Sequence, residues 1–318
     1  MSVNASVLPL DGNARAVIEG LTSQQKWLPP RLFYDRAGSA LFERITELPE
    51  YYLTATEQAI FEREAADMVR SAGDCPTIVE LGAGTAKKTM MVLRAAAEKS
   101  SALTFIPIDV SSSALKVARR RVNRELPQAA VHPLVMDYTE RFPDLSRFAG
   151  PRLALYIGSS IGNFEPMEAA ALLRRLRLSL RRGDALLLGT DMRKPASLLI
   201  PAYDDAEGVT AQFNLNVLAR INREFAAGFE LDRFAHRVVW NESESRIEMH
   251  LESLRPQRVH IGALDLAVDF AAGERIHTEN SYKFTPKMIE ALALNAGFRI
   301  QQTWRDDRNW FRVTLLRA

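Results

Sequence analysis

PTIVELGAGT, residues 76–85, carries a β-branched and apolar run straight into two glycines. KTMMVLRAAAEK (88–99) follows with helical periodicity, so the segment reads as strand, tight turn and helix. The pattern then repeats. LTFIPIDV (103–110) reads as a second strand and SSSALKVARRRVNREL (111–126) as a helix with a serine N-cap. VHPLVMDY (131–138), RLALYIGSS (152–160) and DALLLGTDM (184–192) supply three more strands, with the helix EAAALLRRLRLSL (168–180) before the last. Strands alternating with helices imply an α/β fold with a parallel sheet covered on both faces, because parallel neighbours need a crossover helix.

The flanking sequence is different in kind. Upstream, residues 8–60 read as helical and loop-rich, and LFERITEL (41–48) puts Leu41, Phe42, Ile45 and Leu48 on one helix face. A helix over roughly 55–72 follows, with Thr54 or Thr56 as its N-cap. Downstream of Asp191 the alternation stops. Residues 197–225 look helical with an interruption near Glu207 and Gly208, and 234–241, 246–262 and 264–270 look like antiparallel strands. A helix over 286–296 and the pair RIQQTW and WFRVTLL then close the chain. The economical arrangement is an α/β domain over 61–195 and 286–318, interrupted by an insertion over 196–285. Residues 1–60 and the insertion are expected to form a second, discontinuous α+β domain that binds substrate.

Composition narrows the function. At about 150 residues per domain, 318 residues allow two domains. Hydrophobic residues make up 47% and charged residues 25%, as in a soluble globular protein. The net charge of +2 supplies no field for nucleic acid or anionic lipid. No apolar run reaches the ~18 residues of a membrane span, and the start lacks a secretory leader pattern, so a cytoplasmic location is expected. Cys75 is the single cysteine, which excludes an internal disulfide and a cysteine-rich zinc site. The five histidines show no paired ligand spacing, so no metal is expected, and Arg119-Arg120-Arg121 reads as a solvated helix face. No assembly motif is evident, and a monomer is the default reading.

The chemistry is written at the strand ends. Gly82 and Gly84 allow a tight turn and close approach of backbone to a ligand. Position 87 is Lys, so the third glycine of a dinucleotide fingerprint is missing. Asp109 ends the second strand at the distance where a carboxylate accepts ribose hydroxyls, and Asp137 ends the third, where it could accept from a purine amine. Each aspartate could also be a plain N-cap or turn residue. Three such features in a row, without a Walker lysine motif, favour S-adenosylmethionine (SAM) over NAD or ATP.

The sequence also resembles the histidine Nα-methyltransferases of ergothioneine biosynthesis, enzymes that trimethylate L-histidine to hercynine. The resemblance rests on LPPRLFYDRAGSALFERITELPEYY (28–52), VELGAGTAKKT (79–89), LYIGSSIGNF (155–164), LLLGTDMRKP (186–195), AYDDAEGVTAQFNLNVLARINRE (202–224), RIEMHL (246–251) and ALDLAVDFAAGERIHTENSYKF (263–284). Several of these lie outside the α/β part, in segments that general methyltransferases do not share. The resemblance implies a Rossmann-like class I SAM-dependent methyltransferase domain beside the substrate domain. It implies that Gly82, Gly84, Lys88, Asp109, Asp137 and Tyr138 bind SAM. Tyr51 and Asn163, taken as catalytic, would orient the substrate's amino and carboxylate ends together with Tyr203. Glu279 and Ser281 would hydrogen-bond the imidazole, and Tyr34, Phe42, Thr210, Phe213 and Met249 would surround it.

By residue type alone these side chains read differently. Tyr51 and Tyr52 would be core aromatics, Asn163 a turn residue, Glu279 a solvated surface charge and Met249 the inward face of a strand. The resemblance is what assigns them. Asn280 and Tyr282 depart from the family pattern and could reshape the imidazole end, and Ala83 stands where the family often has Ser. No dedicated general base is evident. The alternatives are a methyltransferase of another amino acid, such as tryptophan or a histidine derivative, and a non-catalytic SAM-binding protein.

Overall fold

The computed structural model describes residues 12–100 and 102–318; residues 1–11, on which most of the leader reading rests, lie outside it. The described helices are α1 (Gly12–Thr22), α2 (Arg36–Ile45), α3 (Tyr52–Ala72), α4 (Thr89–Ala97), α5 (Ser112–Glu125), α6 (Pro166–Ser179), α7 (Ala196–Leu199), α8 (Val209–Phe225) and α9 (Pro286–Ala296). The first strands are β1 (Thr77–Leu81), β2 (Thr104–Asp109), β3 (Ala130–Val131), β4 (Leu134–Val135), β5 (Arg152–Tyr156) and β6 (Ala185–Asp191). Then come β7 (Phe234–Asn241), β8 (Arg246–Ser253), β9 (Gln257–Ile261), β10 (Leu266–Phe270), β11 (Arg275–Tyr282), β12 (Arg299–Arg305) and β13 (Phe311–Arg317).

Two compact units result. One is the sheet unit, Thr46–Ala202, Trp240–Ile247 and Asn280–Ala318; the other comprises the chain up to Ile45, Tyr203–Val239 and Glu248–Glu279. In the sheet unit the strand order is β12-β13-β6-β5-β1-β2-β3, with β4 also beside β2. β1, β2, β5 and β6 run parallel, whereas β13 lies antiparallel between β6 and β12. This is the Rossmann-like sheet, closed by an antiparallel strand, that the resemblance implies. β1, β5 and β6 are buried along their whole length, as expected of central parallel strands. Their residues alternate between two cores. Ile78, Leu153 and Leu187 pack with Ile60, Phe61, Met68 and Leu93 of α3 and α4, while Val79, Ala154 and Leu186 pack with Leu172, Leu176, Ile289 and Leu292 of α6 and α9.

The differences from the sequence reading have local causes. VHPLVMDY is not one strand: Pro133 has no N–H to give the ladder, so only β3 and β4 form on either side of it. Residues 246–262 likewise split at Pro256 into β8 and β9. β11, read as a polar stretch, is a strand whose last five residues, Thr278 to Tyr282, are all buried. α3 starts at Tyr52 rather than 55, with Tyr51 and not a threonine at its N-cap. α2 ends at Ile45, which leaves Leu48 beyond the helix.

The division between units also falls elsewhere than the residue pattern suggests. Residues 46–60 belong with the sheet because α3 is continuous and its Ile60 and Phe61 enter the sheet's core. Residues 280–285 belong there too, because Phe284 N donates to Asp191 O at 2.7 Å.

In the second unit, α1, α2, α8 and the antiparallel pair β9–β10 bury Val17, Leu21, Val217, Ile221, Val259 and Phe270. No described helix is long and apolar enough to cross a membrane.

A buried ion pair anchors β5. Arg152, 1% exposed, donates from Nη1 to Asp184 Oδ2 at 3.0 Å, and the same carboxylate accepts from the backbone N–H of Arg152 and of Arg181. Asp184→Ala strands that guanidinium, so urea denaturation should show a loss of about 3–5 kcal/mol. A loss under 1 kcal/mol would mean that water reaches the pair.

Candidate active site

At the carboxyl end of β1 the chain turns through Gly82 (φ +65°) and Gly84 (φ +51°), a left-handed backbone that favours glycine. Asp109, at the end of β2, fastens this turn. Its Oδ2 accepts from Gly84 N at 2.9 Å and its Oδ1 from Ser111 N at 2.8 Å. Ser111 in turn caps α5 by accepting from Ala114 N. Burial pushes the Asp109 carboxyl above its usual range, against the pull of these backbone donors. Arg121 donates to Thr85 O at 2.8 Å, so the last arginine of the basic run braces the glycine turn while Arg119 and Arg120 stay exposed. Tyr138 lies close to the turn: a Cβ on Gly82 would sit 3.4 Å from its hydroxyl. Burial raises that phenol to about 12. Asp137 accepts from Thr139 N and Oγ1, both on Oδ1.

Two buried carboxylates not singled out as site residues stand behind this turn. Glu80, 2% exposed, accepts from Thr89 Oγ1 at 2.7 Å, and burial raises its carboxyl to about 8, with Lys88 opposing and Glu57 and Asp109 reinforcing. Glu57 of α3 is fully buried, ion-pairs with Lys88 and accepts from Gly158 N at 2.8 Å. Glu57 and Glu80 thus share one ammonium group, Lys88, with Asp109 near Glu80. Such a set of acceptors fits a cationic ligand that carries a diol, as SAM does, since the carboxyl oxygens keep lone pairs beyond those already used.

A second cluster lies where β6 ends. Asp191 is fully buried and accepts at Oδ2 from Tyr52 Oη (2.7 Å) and Lys283 Nζ (2.8 Å), and at Oδ1 from Lys194 Nζ (2.5 Å). Burial lowers Lys194 to about 8 although Asp191 opposes the shift. The cluster reaches three of the predicted residues. Tyr51 precedes Tyr52 as the N-cap of α3. Asn163 ends the 3-10 turn Ser160–Asn163, whose leading residue, Ser159, accepts from Asp191 N at 2.9 Å. Ser281 Oγ accepts from Lys283 Nζ at 2.9 Å.

Asn280 and Tyr282, the departures from the family pattern, alternate with Ser281 along β11, and both donate to Glu165 at the start of α6. They brace the strand by its opposite face instead of lining the same side as Ser281.

The second unit holds Tyr203, Met249 and Glu279, all buried; Glu279, at 8% exposure, is not the solvated charge its polar neighbours suggested. Met249 O accepts from Thr278 Oγ1 at 3.0 Å, which ties β8 to β11. Tyr203 is positioned by a relay. Its carbonyl meets His236 Nε2 at 2.8 Å, and His236 Nδ1 meets Asn214 Nδ2 at 2.8 Å. Asn214 Nδ2 can only donate and the carbonyl can only accept, so His236 is the neutral Nε2–H tautomer. Burial lowers its pKa accordingly. Tyr34, Phe42 and Phe213 form one aromatic group with centroid separations of 5.7–5.9 Å. Thr210 N caps onto Asp205 Oδ1 at the start of α8.

The structure therefore brings Gly82, Gly84, Asp109 and Tyr138 together, and joins Ser281 to the segments that carry Tyr51 and Asn163. Lys88 is engaged by Glu57. The residues that sequence reasoning missed are Glu57, Glu80, Asp191, Lys194 and Lys283. Two had a signal: Asp191 ends a parallel strand as Asp109 does, and Glu57 stands on the apolar helix face of Ile60 and Phe61. Among the described residues no group of three or more His, Cys, Asp or Glu could hold a metal ion.

Comparison with known proteins points the same way. The profile of a family described as histidine-specific, SAM-dependent methyltransferases matches residues 13–318. The chain is 44% identical to a histidine N-alpha-methyltransferase of Mycolicibacterium smegmatis over 98% of each chain. It is 45% identical to the protein of that name in Mycobacterium tuberculosis, over 95% of this chain and 93% of that one. It is also 29% identical to ergothioneine biosynthesis protein 1 of Schizosaccharomyces pombe, over 86% of this chain and 36% of the larger protein.

Glu80 makes the ligand-free protein pH-sensitive. Its folded pKa of about 8 exceeds the ordinary 4.5, so its contribution to stability is fully present below 4.5 and lost as pH rises through 8. Glu80→Gln removes that loss, and its Tm advantage over the parent should grow from acidic to alkaline pH. A Tm difference independent of pH would show that the group is charged throughout.

Proposed function

We propose that this chain, which belongs to the family of histidine-specific, SAM-dependent methyltransferases, methylates the α-nitrogen of L-histidine three times to give hercynine, on the route to ergothioneine. The observation that carries this reading is similarity from end to end with curated histidine Nα-methyltransferases, including the segments outside the α/β sheet.

When bound, SAM supplies an electrophilic methyl on a sulfonium. In our reading Asp109 accepts the ribose hydroxyls, because its two oxygens are already aimed by Gly84 N and Ser111 N. Gly82 and Gly84 let the backbone approach the ligand, Asp137 Oδ2 accepts from the adenine amine and Tyr138 flanks the ring. Lys88 joins this end while remaining paired with Glu57. Glu57 favours the cation, whose charge is lost when the methyl leaves.

The acceptor must present a neutral amine lone pair, and the protein's contribution is to aim it. Tyr51, Asn163 and Tyr203 orient the amino and carboxylate ends. Their uncharged acceptors hold N–H groups without pairing so strongly that the amine stays protonated. The proton leaves through Tyr51 or water. Glu279 and Ser281 stand two residues apart on β11, so their side chains share one face of that strand. Glu279 accepts the imidazole N–H and Ser281 meets the other ring nitrogen, while Met249 packs against the ring. A substrate without that N–H leaves a buried carboxylate unpaired, which disfavours apolar amino acids.

Incubation with SAM and each of the twenty amino acids, read by mass spectrometry, should yield mono-, di- and trimethylated histidine. Absence of all three would overturn the assignment. Glu279→Ala should raise the KM for histidine by about tenfold or more, the scale of one charge-assisted hydrogen bond, and widen side-chain acceptance with SAM affinity retained. Unaltered selectivity would remove Glu279 from the pocket.

A further inference from the structure

We propose that Lys283 is a positioning residue that turns the Ser281 hydroxyl into a hydrogen-bond donor, so that the substrate site accepts the neutral imidazole ring and rejects the imidazolium. The proposal rests on the placement of Ser281 against the ring under Proposed function.

Lys283 is fully buried, and its ammonium group lies between Asp191 Oδ2 at 2.8 Å and Ser281 Oγ at 2.9 Å. An ammonium only donates, so in this bond the hydroxyl oxygen accepts. An oxygen that accepts from a cation becomes a stronger donor through its own hydrogen and a weaker acceptor of any second one.

The charged groups around Lys283 are Asp191, Lys194 and Asp306. Asp191 on β6 is the carboxylate that faces Lys283. Its other oxygen holds Lys194, and Tyr52 of α3 donates to it as well. Two ammonium groups thus share one carboxylate, with Asp306 acting on the cluster through Lys194.

The chemistry of the ring completes the argument. A neutral imidazole offers one N–H and one lone pair, whereas an imidazolium offers two N–H groups and no lone pair. Glu279 accepts an N–H from either form. A Ser281 that donates can satisfy only the neutral form. Glu279 alone would favour the imidazolium, as any lone carboxylate does. Lys283 reverses that preference without touching the substrate.

Calorimetric titration of the protein bearing S-adenosylhomocysteine with L-histidine tests this at pH 8 and pH 5.5. With a ring pKa of about 6.5, only about a tenth of the histidine is neutral at pH 5.5, so the parent protein should bind about tenfold more weakly there. In Lys283→Met the hydroxyl no longer accepts from an ammonium group, and the ratio of the two Kd values should fall to roughly threefold or less. A ratio that stays near tenfold overturns the proposal, since a merely structural lysine would change affinity at both pH values alike.

Lys194 remains to pair with Asp191 in that variant. If circular dichroism nevertheless shows it unfolded, Ser281→Ala carries the test: the ratio should collapse there too, and persistence near tenfold refutes the role of the hydroxyl. Failure of the parent protein to bind histidine at all would overturn the functional reading itself, and this proposal with it.

Discussion

A carboxylate with no access to water must be surrounded by donors, and Asp191 meets that requirement with groups from three parts of the sheet unit. Tyr52 comes from α3, Lys194 from the segment after β6 and Lys283 from just beyond β11, while the backbone N–H of Asp191 donates to Ser159 Oγ in the turn after β5. Leaving any of these charges buried without its partner would cost several kcal/mol. The four segments are therefore held in one arrangement, and Tyr51, Asn163 and Ser281 each lie next to a residue of the cluster. The same desolvation that makes the cluster expensive makes it stiff. That property suits chemistry in which a nitrogen must be aimed at a carbon.

The other carboxylates follow from the topology. Parallel strands end at the same edge of a sheet, and the order reverses at β1, which has β2 on one side and β5 on the other. That crevice is where open α/β sheets bind ligands. Glu80, Asp109 and Asp191 all come from strand ends at this edge, yet they differ in task because they differ in partners. Asp109 has backbone donors and organises the glycine turn. Glu80 has one hydroxyl and deep burial, which keeps its proton up to about pH 8. Asp191 has two ammonium groups and serves as a structural anchor.

The second unit uses neutral polar groups for the same purpose. The relay from Asn214 through His236 to the Tyr203 carbonyl has one consistent direction of donation, and His236 is kept uncharged by burial. His250, beside His277 and also buried, is lowered to about 4. The tyrosine of this unit is thus set by a proton arrangement that does not change near neutral pH.

How much of this was legible depended on the range of the interactions involved. Alternating apolar runs with helices between them, and glycines after the first strand, determine the α/β sheet, because burial periodicity and turn geometry are local properties of the chain. Asp109 and Asp137 were readable for the same reason, as acidic residues at strand ends. Pro133 and Pro256 were readable in principle, since a missing N–H interrupts a ladder wherever it falls. Only tertiary structure decided that HTENSYK is a buried strand segment, that Glu57 and Lys88 pair from separate helices, and that Lys283 lies between Asp191 and Ser281. Those outcomes depend on which distant groups share a volume without water, and the cost of burying a charge is set by partners that the sequence places up to 231 positions apart from Tyr52 to Lys283.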